Sequence, residues 1–339
     1  MLPAITETAR QDGRQVLLCL SVAFAGALCA PVGMPVITHS PSQFLSAFAE
    51  LPEPALPATA RAAFLVAPAD FALASESASD NSYMDLGQVT DPHRALAQHG
   101  ALAQALRADC PVITFAGDPA TPDAVFPNNV FATAPGRFIV GRMRHAVRRR
   151  EATRADIRTF FTDVLGYTPV DLSTRSDMVA ELTGSLVIDR ARGVGYCGLS
   201  ERCDWAGAQA MADAFALELM FCFRLAASEY HTNVVLTLLA SRAAIIAADG
   251  FDDPAAAQAI ARAYGDRAIW LSPAQKAAFA GNAITLSDER VWMSAAAASA
   301  LTAAQRTALG DYGFSVGTVE LDEIEKAGGS LRCCVGEIF

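Results

Sequence analysis

The sequence predicts a single α/β domain over residues 62–339, with an extension over residues 1–61 in front of it. A unit of hairpin, helix and strand recurs at intervals of about 50 residues, a period typical of propellers and repeat arrays. Hydrophobic residues make up 52% of the chain and charged residues 18%, a balance that favours a buried core over disorder. No long linker interrupts residues 62–339. We therefore expect one domain assembled from similar α/β units.

The first half of this domain alternates strands and helices. An apolar run at 62–66 ends before Pro68 and predicts a buried strand, and a stretch of good helix formers follows the next polar loop. The elements expected here are a strand at 62–66, a helix at 93–108, a strand at 110–115, a strand that follows the turn at 122–129, a strand at 137–143 and a helix at 148–165.

The second half contains hairpins at regular intervals. Short apolar runs separated by turn residues predict paired strands, and a helical stretch follows each pair. The hairpins are expected at 186–198, 231–248 and 283–294, the helices at 205–215, 254–264, 273–280 and 302–312, the single strands at 220–225, 269–271 and 314–321, and a last short strand after residue 333.

The extension has two parts. Residues 15–37 carry no charge and follow two arginines, which is typical of the apolar region of a signal peptide. Two prolines near the end of this segment leave a run that is short for a bilayer, and a buried helix is the other interpretation. Four prolines within residues 38–61 indicate a linker. We expect a cytoplasmic chain and keep export through residues 1–37 as the less favoured alternative.

Charge and cysteine content exclude several classes of protein. The net charge of −10 argues against a nucleic-acid binder and against binding to anionic membranes, because both need a basic face. Eight cysteines without a CxxC pattern, and only five histidines, indicate neither a disulfide framework nor a metal site. We expect a reduced chain without metal or organic cofactor.

Residues 328–333, Gly-Gly-Ser-Leu-Arg-Cys, form the most informative stretch. The glycine pair lets the backbone turn tightly and approach a ligand. Arg332 places a positive charge beside Cys333, and such a charge favours the nucleophilic thiolate. Taken alone, this stretch is equally compatible with a buried structural cysteine.

Other polar residues lie next to predicted strands. The segment 123–129 ends in two adjacent amides, Glu181 and His231 each come before an apolar run, and Arg202 follows a strand. Each could be a turn, a loop or a satisfied core residue. Together, a thiol, an imidazole and a carboxylate that orients it form the catalytic arrangement of cysteine hydrolases and transferases.

Several motifs occur in the order found in one enzyme superfamily. They are FPNN at 126–129, ELTGS at 181–185, HTN at 231–233, FAGN at 279–282 and EKAGGSLRCCVGEIF at 325–339. They resemble the guanidino-group-modifying (amidinotransferase/deiminase, or pentein) superfamily, and within it most closely the citrulline-utilisation hydrolase branch, which is related to dimethylarginine dimethylaminohydrolase and arginine deiminase. The resemblance implies a five-bladed α/β-propeller of ββαβ units around a central active-site channel.

The resemblance also implies roles for individual residues. Cys333 resembles the nucleophile, His231 the general acid/base and Glu181 the carboxylate that orients it, whereas Cys334 resembles a packing residue. Asn233 and Arg332, which adjoin motif residues, are included among the expected substrate contacts. The full set of expected substrate-binding residues is Asn81, Asp123, Asn128, Asn129, Arg148, Arg202, Asn233 and Arg332.

The sequence departs from the family at several positions. Asn128 and Asn129 stand where dimethylarginine hydrolases have an acidic pair, and Leu182 stands where the branch usually has glycine. Two amides suit a neutral ureido group or a substituted guanidine better than free arginine. We expect a hydrolase of ureido or guanidino C–N bonds in citrulline- or arginine-like substrates. Amidino transfer to an amine, or binding without catalysis, are the alternatives, and a homodimer is left open.

Overall fold

The computed structural model describes residues 10–11, 14–15 and 35–339. Residues from 35 onward belong to one compact unit. Earlier in the chain, β1 (Arg10–Gln11) and β2 (Arg14–Gln15) pair antiparallel. Residues 16–34 of the signal-like segment lie outside the described residues, so its role stays a prediction. None of the described helices combines the length and the apolar character that crossing a membrane requires.

Five small sheets of one design make up the part of this unit that the structure describes. In each sheet two strands pair antiparallel, and a third strand, reached after a helix, joins in parallel. The strands are β3 (Val36–Thr38), β4 (Ala62–Val66), β5 (Val112–Phe115), β6 (Phe131–Ala134), β7 (Arg137–Val140), β8 (Thr168–Asp171), β9 (Leu186–Asp189), β10 (Val194–Leu199), β11 (Leu219–Arg224), β12 (Leu236–Leu239), β13 (Ala243–Ile246), β14 (Ala268–Trp270), β15 (Ile284–Thr285), β16 (Arg290–Ser294), β17 (Ser315–Val319) and β18 (Gly336–Ile338). The fold is the predicted five-bladed α/β-propeller of ββαβ units.

The first blade joins the two ends of the domain. Its sheet has the order β18-β4-β5, with β18 antiparallel and β5 parallel to β4. Gly336 lies opposite Phe64, where a Cβ would come within 2.2 Å of the phenyl ring, so only glycine fits without a shift. The other blades are β6-β7-β8, β9-β10-β11 with β3 at its edge, β12-β13-β14 and β15-β16-β17.

Helices connect the strands, and polar side chains fix where several of them begin. Asp91 accepts hydrogen bonds from the backbone N–H groups of the first helical turn, and Ser272 and Thr302 form capping boxes with glutamines three residues later. The helices are α1 (Pro41–Ala49), α2 (Ser75–Ala78), α3 (Pro92–Leu106), α4 (Ala146–Arg149), α5 (Ala155–Thr159), α6 (Leu182–Ser185), α7 (Trp205–Ala214), α8 (Thr232–Val235), α9 (Pro254–Ala263), α10 (Pro273–Ala277), α11 (Ala295–Ala300), α12 (Ala303–Asp311) and α13 (Asp322–Glu325).

The helix expected at 148–165 is divided into short pieces. Between α4 and α5 lies a 3₁₀ turn, Glu151–Thr153, and a π-helical turn, Phe160–Val164, follows α5. Arg154 has non-helical backbone angles (φ −58°, ψ 101°), and its guanidinium bonds to Asp156 and to the carbonyl of Ala116. These contacts outside the helix outweigh local helix propensity.

The prediction of a linker over residues 38–61 was wrong for residues 38–49, which contain regular structure. β3 pairs in parallel with β11, and α1 follows it. Phe44 of α1 is fully buried and stacks on Phe221 at 4.6 Å between ring centroids. This segment is therefore packed on the propeller. The start of the catalytic domain at residue 62 stays a prediction.

Candidate active site

Equivalent positions in the five blades carry polar side chains. A helical turn or tight loop precedes the first strand of each blade, and these segments converge on one region. The residues are Asn128 and Asn129 in the 3₁₀ turn Pro127–Asn129 before β6, Glu181 before α6 and β9, His231 before α8 and β12, Asn282 before β15, and Cys333 in the 3₁₀ turn Leu331–Cys334 before β18.

A cavity with an empty volume of about 290 Å³ lies where these segments meet. Cys333 and His231 both line it, as the sequence predicts for a nucleophile and its acid/base partner. The other predicted residues that line it are Asn81, Asp123, Asn129, Arg148 and Arg202. Its remaining walls are Ser77, Met84, Phe126, Tyr230, Ala327 and Gly329.

Cys333 is buried, and asparagine side chains surround its sulfur. Asn282 Nδ2 donates to Sγ at 3.2 Å, while Sγ lies 3.7 Å from Asn233 Oδ1. Burial raises the pKa of the Cys333 thiol, and the Asn282 hydrogen bond and the Arg332 charge only partly oppose this. Without a ligand the residue is therefore a thiol at neutral pH.

His231 is a neutral base held in one orientation. Its Nε2 lies 2.8 Å from Glu181 Oε2. Burial lowers the pKa of His231, and Glu181 offsets this only in part. An ionised carboxylate only accepts hydrogen bonds, so Nε2 carries the proton. The other ring nitrogen, Nδ1, has no hydrogen-bond partner and is free to exchange a proton.

Glu181 stays ionised because cations surround it. Its Oε2 accepts from Arg202 Nη1 at 3.1 Å, and its Oε1 accepts from the Arg144 backbone N–H at 3.0 Å. Burial alone would raise the pKa of Glu181, but the Arg202 charge and the His231 hydrogen bond outweigh it and hold the pKa well below its ordinary value. The side chain can therefore orient the imidazole, as the sequence predicts.

Arg202 lines the cavity, but hydrogen bonds within the protein engage its guanidinium. Besides Glu181, it bonds to Asp80 through Nε and Nη2 and to the Ser77 carbonyl. Its guanidinium thus connects Glu181 to the loop that carries Asp80. The predicted role of Arg202 in binding a substrate carboxylate stays untested, while its contacts are those of a residue that positions Glu181.

Gly184 allows the histidine and an asparagine to approach the same point. A Cβ at Gly184 would lie 2.8 Å from His231 Cε1 and 2.5 Å from Asn129 Oδ1. Both distances are shorter than any side chain tolerates, so glycine is required at this position of the ELTGS motif. Leu182, where related sequences usually have glycine, has a φ of +20° and is fully buried.

The 123–129 segment brings unpaired polar atoms to the cavity. Asp123 Oδ2 accepts from Ser77 Oγ at 2.5 Å, but Asp123 Oδ1 has no partner. Burial raises the pKa of Asp123, against the opposing charges of Arg148 and Arg202. Asn129 Oδ1, and both side-chain polar atoms of Asn128, also lack partners. Buried polar groups are normally paired, so the Asp123 and Asn129 oxygens, whose residues line the cavity, are available to a ligand.

Arg148 forms a buried ion pair with Glu151. Its Nε and Nη2 donate to the carboxylate at 2.8 and 2.9 Å, and Nη2 also donates to the Phe126 carbonyl at 3.0 Å. Among the described residues, Nη1 makes no hydrogen bond. Burial raises the pKa of Glu151 to about 7 despite Arg148, and the nearby Asp123 and Glu181 add to this rise.

Residues from the 74–92 loop cover the cavity. Asn81 Nδ2 donates to the Gly328 carbonyl at 3.2 Å, and the Tyr230 hydroxyl donates to the same oxygen at 2.5 Å. Gly328 has a φ of +73°, so the glycine pair of the C-terminal motif supports a turn that other residues rarely adopt. Asn81 therefore lies in the wall of the cavity, and its role in covering a substrate stays a prediction.

The structure does not bring every predicted residue to this cavity. Asn233 contacts the sulfur but is otherwise bonded to the Thr183 carbonyl and to Asn282. Arg332 faces a separate cavity and bonds to Glu337 at 2.8 Å. Asn128 is buried beside the site but does not line it.

Sequence reasoning missed several residues of the site. Asn282 donates to the nucleophile, and the FAGN motif contained this signal. Asp80 and Ser77 lie in a polar loop without a motif, so nothing local distinguished them. Met84 and Phe126 form an apolar part of the cavity wall.

A family profile matches most of the chain. It is described as "N,N dimethylarginine dimethylhydrolase, eukaryotic" and matches residues 67–339. The chain belongs to this family. The predicted superfamily is thereby confirmed, and this member of the dimethylarginine hydrolase family is an enzyme of the hydrolase class that acts on guanidino C–N bonds.

Solved structures share the fold of this dimethylarginine hydrolase homologue. The N-terminal domain of ArgZ, a cyanobacterial arginine dihydrolase, has 19% identity and a TM-score of 0.70 over 82% of this chain and 97% of that chain. AgrE in complex with ornithine and NAD+ has 22% identity and a TM-score of 0.71 over 82% and 39%. A cysteine-to-serine mutant of the hydrolase from Pseudomonas aeruginosa, complexed with citrulline, has 20% identity and a TM-score of 0.64 over 82% and 99%. A comparison with curated proteins gave no match.

Proposed function

We propose that this enzyme hydrolyses the terminal guanidino C–N bond of an arginine-like amino acid, with N-substituted arginines as the preferred substrates, through a covalent intermediate on Cys333. One observation carries the proposal: Cys333, the His231 ring and the unpaired Asp123 oxygen line one small cavity. A thiol and a free base suit attack on a carbon electrophile, and a buried carboxylate in the same cavity suits a substrate with a cationic amino-acid group.

The reaction begins with activation of the thiol. His231 Nδ1 takes the Cys333 proton, and a cationic substrate favours the resulting thiolate. The sulfur adds to the guanidino carbon, and the C–N bond to the terminal amine breaks as His231 returns the proton to that nitrogen. A water, deprotonated by His231, then adds to the S-linked carbon, and the C–S bond breaks. The ureido product leaves and the free thiol is restored. General acid/base assistance of this kind contributes about 10² to 10⁴ in rate.

The charge balance around the cavity favours a cationic substrate. Four carboxylates, Asp80, Asp123, Glu151 and Glu181, face three arginines, Arg144, Arg148 and Arg202. Burial and mutual repulsion raise the pKa values of Asp123 and Glu151, which is the response of a site that lacks a counter-cation. A guanidinium would supply that charge, whereas a neutral ureido group would not.

Unpaired amide oxygens and apolar walls favour a substituted guanidine within this class. Asn129 Oδ1 accepts a guanidinium N–H without adding charge. Met84 and Phe126 give N-alkyl groups apolar contacts that free arginine does not use. This agrees with the family name and with the substitution of amides for an acidic pair. Asp123 is assigned to the substrate α-amino group and Arg148 Nη1 to its carboxylate.

A substrate panel tests the proposal. N-methylated arginines, arginine, citrulline and agmatine are incubated with the enzyme, and ureido product, alkylamine and ammonia are measured, with and without ornithine or glycine as acceptor. We expect one amine released per ureido product from N-methylated arginines, and no amidino transfer. Cys333→Ala should abolish turnover. Cys334→Ala, the matched control, changes an adjacent buried thiol that only packs and should retain it. Wild-type turnover by Cys333→Ala would rule out the assignment.

A further inference from the structure

A second cavity lies behind the segments that carry the reactive groups. Its empty volume is about 520 Å³, and Thr183 and Asn233, whose neighbours Gly184 and Thr232 adjoin the first site, form part of its wall. Three charged side chains line it: Arg190, Arg332 and Glu337. Each is mostly buried but retains 10–13% exposure, so small solutes can reach them.

The charges in this cavity do not balance. Glu337 Oε2 accepts from Arg332 Nη2 at 2.8 Å, and the same oxygen lies 3.8 Å from Arg190 Nη2, beyond hydrogen-bond distance. The hydrogen bond that the structure gives the Arg190 guanidinium is to the Thr133 carbonyl at 3.1 Å. Two guanidinium groups therefore share one carboxylate.

Arg190 lies in an unfavourable environment for its charge. Burial lowers the pKa of Arg190 to about 10, Glu337 opposes this only in part, and Arg332 repels it. The guanidinium stacks over the ring of Phe339 at 4.2 Å, which stabilises a cation but does not neutralise it. A mostly buried arginine without its own acidic partner is rare, because the cost of desolvation is large.

Neutral hydrogen-bonding groups complete the cavity. Thr285 Oγ1 accepts from the Ala240 N–H at 3.1 Å, which leaves its hydroxyl hydrogen free to donate. The neighbouring carboxylate of Asp189 is already paired with Arg192 at 2.9 Å and bonded to Ser241. The excess charge that faces the cavity is thus positive.

We propose that this cavity binds a small oxyanion, a carboxylate or a phosphate, held between Arg190 and Arg332 with Thr285 as a further donor. The planar fork of each guanidinium suits paired oxygen atoms, and two arginines around a single acceptor are the usual chemistry of such sites.

The site is connected to the thiol through one peptide bond. Arg332 and Cys333 are neighbours in the 3₁₀ turn Leu331–Cys334, with the guanidinium on one side and the sulfur on the other. The Arg332 charge favours the Cys333 thiolate. An anion that neutralises Arg332 should therefore slow the alkylation of Cys333 at a fixed pH.

Thermal unfolding measures binding without any assay of turnover, so its outcome is separate from that of the proposed function. Sodium phosphate and sodium acetate are titrated against sodium chloride at equal ionic strength. We expect a saturable rise in Tm for wild type. Arg190→Met removes the charge but keeps an unbranched side chain, and should weaken binding about tenfold or more. The matched control, Arg175→Met, removes an exposed arginine that pairs with Asp177 and should bind as wild type does.

The two anions distinguish the ligand source. Saturation at lower concentration by acetate assigns the site to carboxylates, and the reverse assigns it to free phosphate. Glu337→Gln removes the competing carboxylate and should tighten binding of the same anion, which keeps the test decisive if Arg190→Met does not fold. No saturable shift with either anion, an equal shift in Arg190→Met, or unchanged affinity in Glu337→Gln would overturn the proposal.

Discussion

His231 Nε2 lies 2.8 Å from Glu181 Oε2, with both side chains buried. This contact fixes the tautomer, because an ionised carboxylate accepts the Nε2 proton and leaves Nδ1 as the base. Arg202 and the backbone of Arg144 keep that carboxylate ionised. The arrangement therefore depends on a negative charge and not only on the shape of the side chain.

Glu181→Gln keeps the shape of the side chain and removes its negative charge, so it tests which of the two catalysis requires. The amide can donate to Nε2, which reverses the tautomer, and loss of the charge lowers the His231 pKa further. We expect kcat to fall by about 10² to 10⁴ with a smaller change in KM. The pH profile of kcat/KM measures both effects. Glu50→Gln, at an exposed helix end, is the control. A variant with wild-type kcat would show that His231 does not need the carboxylate.

Binding of a cationic ligand should release protons. A guanidinium in the cavity favours ionised Glu151, whose pKa is about 7 in the free enzyme, and ionised Asp123, whose pKa is also raised. The affinity of Cys333→Ala for an N-methylated arginine should therefore rise between pH 6 and 8, by up to about tenfold per pH unit for each proton released. Calorimetry in buffers of different ionisation enthalpy counts the protons.

Citrulline provides the control for this linkage. Its ureido group is neutral, so its affinity should change much less over the same pH range. Equal pH dependence for the two ligands would contradict the charge argument and favour a ureido substrate.

Gly184→Ala should disturb the reactive geometry without unfolding the protein. The added Cβ would meet His231 and Asn129 at under 3 Å, so one of them must move. Displacements of about 1 Å at a reacting group cost about 10² in rate. Gly100→Ala, in α3 with no atom within 4 Å of its Cβ, should raise the free energy of unfolding by up to about 1 kcal/mol and leave kcat unchanged. Similar kcat for the two variants would mean that Gly184 does not position the site.

Asn282→Ala should make Cys333 less reactive. The substitution removes the donor at 3.2 Å from the sulfur, so the Cys333 pKa rises further and less thiolate forms at neutral pH. Alkylation by iodoacetamide between pH 7 and 9, followed by mass spectrometry, should be slower than in wild type. Cys110, which is also buried but does not line the cavity, serves as the internal reference. Unchanged labelling of Cys333 would show that the asparagine does not favour the thiolate.

Phe44→Ala should destabilise the propeller. The ring is fully buried and stacks on Phe221, so its removal should lower the free energy of unfolding by about 3–5 kcal/mol. Leu56→Ala, at a residue 53% exposed, should change it by less than about 0.5 kcal/mol. Denaturant unfolding measures both. A small effect of Phe44→Ala would mean that residues 38–49 contribute little to stability, as expected of the linker that the sequence predicts.

The repeat was readable from sequence because each blade uses short, apolar, turn-bounded strands. The hairpins at 186–198 and 283–294, and α7, α9 and α12, lie within a few residues of their predicted positions. The strand expected from residue 231 was wrong at its start, because α8 (Thr232–Val235) comes before β12. The continuous helix predicted at 148–165 was wrong. Arg148 and Glu151 form a buried ion pair, and Arg154 bonds to groups outside the helix, so the segment is divided into short pieces. Such tertiary contacts leave no trace in local propensity.

The site residues likewise divide into those that the sequence could predict and those that it could not. Cys333, His231 and Glu181 lie in motifs at equivalent positions of three blades, so their convergence followed from the repeat. Arg202 looked like a possible substrate ligand because nothing local shows that Asp80, far away in sequence, occupies it. Arg332 adjoins the nucleophile in sequence, but side chains that are adjacent along a 3₁₀ turn point in different directions.

Because β18 closes the ring by pairing with β4, the enzyme can become active only after β18 has been synthesised. Residues 62–66 emerge from the ribosome long before residues 336–338 and must wait with an unpaired strand edge, a state prone to wrong pairing. The thiol lies in the turn just before the closing strand, so it reaches the imidazole only when the circle is complete. A nascent or truncated chain would hold its nucleophile away from the other reactive groups and remain inert.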